Sequence, residues 1–277
     1  MDELRIQDTK NEFTYSIVVI DNDQLESAKP AVLEFTKTSP IMIKYCVEPR
    51  QNIALARNKA IENASGDYVV FIDDDELPIP EWLLTLFRAC QVYNVDGVLG
   101  PVKPRYEEQP PKWIIRGKFH ERPTYPTGFI INWRKGRTGN TLLKRHLFVA
   151  GEQPFRPEFL TGEDQDFFRR MIEKGHRFVW CNEAIAYEIV PAARCQRSFM
   201  LKRALLRGRI SLLHSTSARI EILKSAIALP MYAFALPFLL LLGQHQFMRY
   251  LVKVCDHGGR LLAWVGINPI KEQYVTE

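Results

Sequence analysis

Short apolar runs alternate along the first two thirds of the chain with longer segments whose apolar residues recur every three or four positions. The short runs are rich in β-branched and aromatic residues and predict buried strands, whereas the longer segments predict amphipathic helices. Strands are predicted at 15–20, 41–47, 68–72, 97–102, 176–181 and 184–188. Asn52 is expected to cap a helix that reaches about residue 64, and Pro80 is expected to lie in the first turn of the next helix.

This alternation favours an α/β domain, a mostly parallel sheet flanked by helices. A later helix is predicted to begin at Thr161, which can cap it, and to stop at Gly175. Residues 101–126 contain six prolines, which predicts an ordered loop near a site or a mobile lid. We expect this domain to occupy residues 1–193 and a basic, hydrophobic helical region to occupy residues 194–277.

Four consecutive acids, Asp73 to Glu76, follow the predicted strand at 68–72. Open α/β sheets bind ligands at the carboxyl ends of their strands, and clustered carboxylates need a compensating cation. Oxygen ligands suit Mg²⁺ or Mn²⁺, usually shared with substrate phosphates. A solvated acidic turn is the alternative for an isolated acidic run. The preceding strand and the features downstream favour the metal-binding interpretation.

Glu163 and Asp164 lie in the first turn of the predicted later helix. The helix dipole and the free backbone N–H groups keep a carboxylate at this position ionised, and an ionised carboxylate in a cleft can remove a proton from a hydroxyl. Acids also occur at helix N-termini for capping alone. The combination with the acidic strand end some ninety residues earlier favours a catalytic role for the pair over a capping role.

Several ordered motifs resemble those of the inverting family 2 glycosyltransferases, which have the GT-A (Rossmann-like) fold. Phe71-Ile72-Asp73-Asp74-Asp75 resembles the family's D-x-D motif, and Gly162-Glu163-Asp164 resembles its E-D motif. Ala56-Arg57-Asn58 followed by Gly66-Asp67-Tyr68 is similar to the approach to D-x-D in that family. Val19-Ile20-Asp21-Asn22 is similar to its second strand.

The resemblance covers roughly residues 10–190 and implies a metal-dependent transfer of a sugar, with inversion, from a nucleotide-diphosphate sugar to a saccharide or lipid-linked acceptor. The cofactor implied is Mn²⁺ or Mg²⁺, and the process implied is surface polysaccharide or glycolipid synthesis. The implied roles are the catalytic base for Asp164 with Glu163 beside it, and metal binding for Asp75 and Asp73. Substrate binding is implied for Asp21 (nucleotide base), Arg57 (nucleotide), Asp73 (ribose or phosphates), Asn140 (sugar or acceptor) and Asn58.

Two departures from the family pattern qualify these expectations. The chain starts near the family's second strand, so we expect the family's first strand and helix to be missing, with residues 1–13 as the end of that helix. The alternative function is therefore a non-catalytic truncated relic or partner subunit that keeps the fold. The segment Gln196-Arg197-Ser198-Phe199-Met200 does not match the Q-x-x-R-W of polymerising members, which favours transfer of a single sugar. A nucleotidyltransferase is a further rival, but no Gly-rich phosphate loop is visible near the start.

Composition is ordinary for a globular protein, with 46% hydrophobic and 25% charged residues and a net charge of +5. The five cysteines are far apart and form no C-x-x-C pair, which predicts reduced core residues rather than disulfides or a cysteine zinc site. Positive charge is concentrated between Arg194 and Lys224, a segment that contains eight Lys or Arg residues and one acid, Glu221. This patch can meet phosphates or anionic headgroups, or it can be a solvated helix face. We expect no nucleic-acid partner.

The C-terminal part predicts a membrane-associating module. Residues 226–242 are seventeen uncharged residues interrupted by Pro230 and Pro237. As a helix they would reach ~26 Å, short of the ~30 Å hydrocarbon core, so they can span with flanking residues or lie at the interface. Residues 247–267 are amphipathic. We expect a peripheral or shallowly inserted protein at the cytoplasmic face of a bacterial inner membrane. The alternative is a buried helical hairpin packed on the catalytic domain.

Overall fold

The computed structural model describes residues 1–149, 151–159, 162–213 and 218–270. Its strands are β1 (Ile17–Asp21), β2 (Ile43–Val47), β3 (Tyr68–Phe71), β4 (Glu76–Pro78), β5 (Gly97–Leu99), β6 (Val102–Tyr106), β7 (Thr141–Lys144), β8 (Phe178–Trp180) and β9 (Ala186–Val190). Its α-helices are α1 (Asp2–Arg5), α2 (Lys29–Thr38), α3 (Ile53–Asn63), α4 (Trp82–Val92), α5 (Lys112–Gly117), α6 (Glu163–Glu173), α7 (Arg197–Leu213), α8 (Ala218–Leu241) and α9 (Gln244–Trp264).

A four-stranded sheet in the order β3-β7-β5-β8 lies at the centre of the α/β part. Strand β7 is antiparallel to both β3 and β5, and β5 is parallel to β8. Strands β3, β5 and β8 therefore run in one direction and end at the same edge of the sheet. A parallel pair, β1 and β2, and a three-stranded sheet in the order β4-β9-β6 complete the strands. The expected α/β fold class is confirmed, and β7 is the reversed strand that alternation alone did not reveal.

Apolar side chains from both faces of the four-stranded sheet form two core clusters. Helix α4 contributes Trp82, Leu83, Leu86 and Cys90 to one cluster, together with Leu142 of β7. Phe167 and Phe168 of α6 pack in the other cluster with Phe155 and Phe178. The two helices are amphipathic as predicted, and burying their apolar faces fixes them against the sheet.

The chain divides into two compact units, and the division differs from the one expected at 193/194. Unit 1 consists of Met1–Lys103 and Arg122–Glu188, and unit 2 consists of Pro104–Glu121 and Ile189–Glu277. The proline-rich stretch 101–126 is more regular than predicted, because it contains all of β6 and all of α5. The expected cap Thr161 lies outside the described residues. Residue Gly162, with φ +86°, precedes the first turn of α6.

Within unit 2, helices α7 and α9 cross closely at two glycines. A Cβ atom at Gly208 would lie 2.1 Å from the carbonyl oxygen of Asp256, and one at Gly259 would lie 2.2 Å from that of Leu205. Only glycine leaves room for this backbone approach. Arg207 donates to both carboxylate oxygens of Asp256 at 2.9 and 2.7 Å, which joins the same two helices.

Helix α8 is longer than its uncharged stretch and is mostly exposed. Its 24 residues reach ~36 Å, enough to cross a ~30 Å hydrocarbon core. By length and composition it is a candidate membrane span, and almost none of its apolar window is buried. Seven exposed apolar residues of α8 recur every three or four positions, at Ile220, Leu223, Ile227, Met231, Phe234, Phe238 and Leu241. We call these seven side chains the α8 apolar face. The alternative of a fully buried hairpin is wrong for this helix.

Candidate functional site

Helix α3 positions the first residue of the site, Arg57. The helix begins as predicted, because the Asn52 side chain accepts hydrogen bonds from the backbone N–H groups of Ala54 (2.9 Å) and Leu55 (3.1 Å). Arg57 follows one turn later and forms a close ion pair with Glu163 at the start of α6. Both side chains are mostly buried, and the guanidinium also lies 5.7 Å from the centre of the Phe155 ring. This pair joins two motifs that are more than a hundred residues apart.

The acidic strand end forms a tight turn between β3 and β4. The Asp73 backbone N–H donates to Glu76 Oε2 at 3.3 Å, and the Glu76 backbone N–H donates to the Asp73 carbonyl at 3.1 Å. Gly139, just before β7, packs against both side chains. A Cβ atom at this position would lie 3.0 Å from Asp73 Oδ2 and 3.0 Å from Glu76 Oε1. A glycine here therefore lets the chain pass directly against the two carboxylates.

Arg57 is the cation that the two acidic motifs share. Limited hydration raises the pKa of Asp73, Glu163 and Asp164, and in each case the positive charge of Arg57 is the largest influence opposing that rise. Asp73 reaches solvent and Asp164 is half-buried, so both combine access with a crowded protein environment. The structure therefore brings together Arg57, Asp73, Glu163 and Asp164 of the predicted set.

Glu76 and two arginines belong to the same region, although the sequence did not single them out as site residues. Burial and the neighbouring Asp73 raise the pKa of Glu76 to about 8. Burial lowers the pKa of Arg137 to about 10, with Arg122 adding to that effect and Glu76 opposing it. Among the described residues, Glu76 Oε1 and Arg137 Nε are buried without a hydrogen-bond partner. Glu76 was visible as the fourth acid of the run, but nothing in the local sequence marks Arg137 or Arg122.

The donor set of the acidic strand end fits a divalent cation. Asp73 and Asp75 supply carboxylate oxygens at the turn, the ligand type that Mg²⁺ and Mn²⁺ prefer. Asp75 also raises the pKa of Asp73, so the two charges oppose each other. Nearby Glu76 adds a buried oxygen that has no hydrogen-bond partner in the described chain. A cation at this turn would relieve the repulsion and stabilise the ionised carboxylates.

The predicted substrate residues Asp21, Asn58 and Asn140 have side chains that are buried and engaged within the chain. Asp21 accepts from the Tyr45 hydroxyl at 2.7 Å and from the Ala28 backbone N–H at 2.9 Å. These contacts hold the loop after β1 against β2.

Asn58 and Asn140 hold neighbouring backbone segments through their side-chain amides, and their roles in substrate binding stay predictions. Asn58 exchanges two hydrogen bonds with the Phe155 backbone, at 2.7 and 3.0 Å. Asn140 has no exposed surface, and its amide donates to the carbonyls of Pro101 (2.9 Å) and Ala184 (2.8 Å). Its oxygen accepts from the Trp82 indole at 2.7 Å. The two side chains therefore fix the backbone at Phe155, Pro101 and Ala184.

The fold is similar to that of a solved bacterial protein. S. aureus TarS, residues 1–349 in complex with UDP, superposes with a TM-score of 0.51 at 15% sequence identity, covering 95% of this chain and 84% of that chain. The same protein in complex with UDP-GlcNAc gives a TM-score of 0.50. At this identity the likeness concerns the fold, and it extends over both units of the chain.

Curated relatives and a family model match at the sequence level. Succinoglycan biosynthesis protein ExoM of Rhizobium meliloti is 34% identical over 196 residues, which are 70% of this chain and 62% of that protein. Glycosyltransferase AglE of Haloferax volcanii is 23% identical over 171 residues, 62% of this chain and 55% of that protein. The chain thus spans about six tenths of the length of these relatives. The model of Glycosyl transferase family 2 matches residues 4–152, and the chain therefore belongs to this family.

Proposed function

We propose that this protein transfers a single sugar, with inversion, from a nucleotide-diphosphate sugar to a saccharide or lipid-linked acceptor. The observation that carries the proposal is the shared cation of the two acidic motifs: Arg57 pairs with Glu163 and opposes the raised pKa values of Asp73 and Asp164. Inverting transfer needs a leaving-group site and a base close together, with room between them for the reacting carbon. Family membership supports the same reaction class.

Asp164 is the better candidate for the base of the two adjacent carboxylates. Glu163 is only 4% exposed and engages Arg57, whereas Asp164 is half-buried and open enough to meet an acceptor hydroxyl. Limited hydration raises the pKa of Asp164, which makes its carboxylate a stronger proton acceptor than an ordinary aspartate. Its Oδ1 accepts from the Gln165 backbone N–H at 2.7 Å, which orients the carboxylate at the helix start. Glu163 then holds Arg57 in place.

The acidic strand end is the proposed donor side. Asp73 and Asp75 would hold Mn²⁺ or Mg²⁺, which when bound supplies positive charge against the departing diphosphate. Arg57, Arg122 and Arg137 add fixed positive charge in the same region, since each influences the titration of an acid there. Partly buried arginines bind an anionic group more strongly than solvated ones do.

The acceptor is proposed to lie at a membrane surface, in surface polysaccharide or glycolipid synthesis. The exposed α8 apolar face and the basic residues between 194 and 224 suit an interface with anionic headgroups. The name of ExoM, a succinoglycan biosynthesis protein, supports an assembly role of this kind. Such a protein would lie at the cytoplasmic face of the inner membrane, peripherally or shallowly inserted, where a lipid-linked acceptor is accessible.

The test is acceptor-dependent release of nucleotide. The full chain, in membranes or mild detergent with Mn²⁺, is supplied with a panel of nucleotide-sugars led by uridine donors, the class bound by TarS. Lipid-extracted oligosaccharides serve as acceptors. We expect release from one donor that rises with acceptor and is lost in Asp164→Asn. Absence of release with every donor, together with absence of nucleotide binding by calorimetry, would favour the non-catalytic relic.

A further inference from the structure

Three potential metal ligands meet at the edge of the four-stranded sheet opposite the candidate site. Asp96 directly precedes β5, His146 lies in the short 3-10 turn after β7, and His176 directly precedes Arg177 and β8. Because β7 is antiparallel to β5 and β5 is parallel to β8, these three positions converge at one edge. Asp73 follows the carboxyl end of β3, so it lies at the other edge.

The side chains are already arranged at coordination distances. His146 Nε2 lies 3.0 Å from Asp96 Oδ1, and His176 Nδ1 lies 3.3 Å from Asp96 Oδ2. One ligand atom from each residue lies within 4.8 Å of the other two. In a tetrahedral site with metal–ligand bonds of ~2.0–2.1 Å, ligand atoms are separated by roughly 3.3 Å, so small side-chain rotations complete the geometry.

Backbone hydrogen bonds fix the ligand that both imidazoles share. The Asp96 N–H donates to the Arg177 carbonyl at 2.9 Å, and the Lys144 N–H donates to the Asp96 carbonyl at 2.8 Å. The Arg177 N–H donates to Asp96 Oδ2 at 3.0 Å, which orients the carboxylate and directs Oδ1 towards His146. Hydrogen bonds that orient a ligand in this way are typical of built metal sites.

The ligand His176 is also held by its backbone. Its N–H donates to the Met171 carbonyl at 3.0 Å, after Gly175 has ended α6 with φ +94°. His176 is therefore fixed at the C-terminal end of the helix whose first turn carries Glu163 and Asp164. A cation bound by His176 would tie that end of α6 to the starts of β5 and β8.

We propose that Asp96, His146 and His176 form a binding site for Zn²⁺ or a similar divalent transition metal. Two imidazoles and one carboxylate are a ligand set that suits zinc, and solvent supplies the fourth ligand because the His146 side chain is 53% exposed.

The test is Co²⁺ and Zn²⁺ titration of untagged, chelator-treated full-length protein. We expect one Zn²⁺ site by calorimetry and visible Co²⁺ absorption bands of histidine ligation. His146→Gln and His176→Gln should each weaken Zn²⁺ binding at least ~100-fold, beyond the loss typical of an outer-shell change. His245→Gln removes an imidazole elsewhere on the chain and should leave binding unchanged.

Two further results decide between this site and others. Asp75→Asn should keep the Co²⁺ bands, which separates the site from the acidic strand end. Bound Zn²⁺ should also raise the melting temperature of the parent but not that of His146→Gln. His146 is exposed, and circular dichroism verifies that the variant is folded. Absence of Zn²⁺ binding by the parent, or equal binding by the parent and both histidine variants, would overturn the proposal.

Discussion

The candidate site of unit 1 and the α8 apolar face of unit 2 depart in opposite ways from the usual arrangement of a soluble protein. The site crowds Arg57 and several carboxylates where hydration is limited, whereas α8 turns seven large apolar side chains towards solvent. Monomeric soluble proteins seldom bury charge or expose a contiguous apolar face without a reason. In water alone, each region raises the free energy of the folded protein.

The two regions differ in the kind of partner that would lower this free energy. The crowded carboxylates are stabilised by positive charge, which Arg57 supplies in part and a divalent cation would supply further. The α8 apolar face is stabilised by an apolar phase, such as the interior of a bilayer. The two regions therefore predict two kinds of partner, an ionic substrate complex and a membrane surface. The predictions below test each half of this comparison.

The largest effect is expected from Asp164→Asn, which keeps the shape of the proposed base and removes its ability to take a proton. We expect kcat to fall by ~10²–10⁴-fold, the usual contribution of a positioned general base, with donor affinity nearly unchanged. Because the pKa of Asp164 is raised, acidification should protonate it early. Parental turnover should therefore begin to fall, as the pH is lowered, at a higher pH than an ordinary aspartate would give. Steady-state nucleotide release over a pH series measures both.

The matched control for the base is Glu163→Gln, one residue earlier. It should reduce turnover less than Asp164→Asn, because Glu163 is assigned to holding Arg57 rather than to proton transfer. A larger loss in Glu163→Gln would move the base to that residue. Near-parental turnover in Asp164→Asn would remove the E-D pair from the chemistry.

An intermediate effect is expected for membrane binding. Phe234 and Phe238 are 77% and 60% exposed on α8. Replacing both with Ser should weaken partitioning into anionic vesicles by at least ~100-fold, since each apolar side chain contributes about 1.5–3 kcal/mol when it leaves water. Vesicle co-sedimentation measures the change. The control replaces exposed apolar Leu25 and Met42 of unit 1 with Ser, which should leave partitioning unchanged. Equal binding by all three proteins would contradict a membrane role for this face.

The smallest effect concerns Glu76 and stability. Because the folded-state pKa of Glu76 is raised from 4.5 to about 8, the folded protein holds a proton there that the unfolded chain has lost. The free energy of unfolding therefore falls as pH rises from about 4.5 to 8. Glu76→Gln should melt at a higher temperature than the parent at pH 8 and at a similar temperature at pH 4.5. If the difference in melting temperature between Glu76→Gln and the parent stays the same from pH 4.5 to pH 8, Glu76 is ionised in the folded protein.

Much of the fold could be predicted because local patterns decide it. The strand at 68–72, the Asn52 cap and the helix ending at Gly175 were all visible in the sequence and are confirmed. Helix α2, the reversal of β7 and the grouping of Pro104–Glu121 with the C-terminal unit were not predicted, because they depend on contacts between distant residues. The expectation of a missing first strand and helix stays a prediction, and the family match begins at residue 4.

The sequence predicts the charged residues of the site that lie in motifs, but it does not predict the positions that depend on packing. Asp73, Glu163, Asp164 and Arg57 follow from motifs, and the structure brings them together. Asn140 is assigned to the sugar or acceptor pocket from the resemblance alone, and its amide is fully engaged with backbone and Trp82. A resemblance to a family does not reveal whether a given side chain faces ligand or core. Arg137 shows the converse, because only the folded chain brings it near Asp164 and Glu76.

The most direct test of the central claim is metal-dependent nucleotide binding at the acidic strand end. Calorimetry with UDP, GDP and dTDP, with Mn²⁺ and then with chelator, compares the parent with Asp75→Asn. Asp74→Asn, which removes the same charge one residue away, is the matched control. We predict that one nucleotide binds the parent with Mn²⁺, that chelator or Asp75→Asn abolishes binding, and that Asp74→Asn largely keeps it. Equal metal-dependent affinity in Asp75→Asn and the parent would contradict the account.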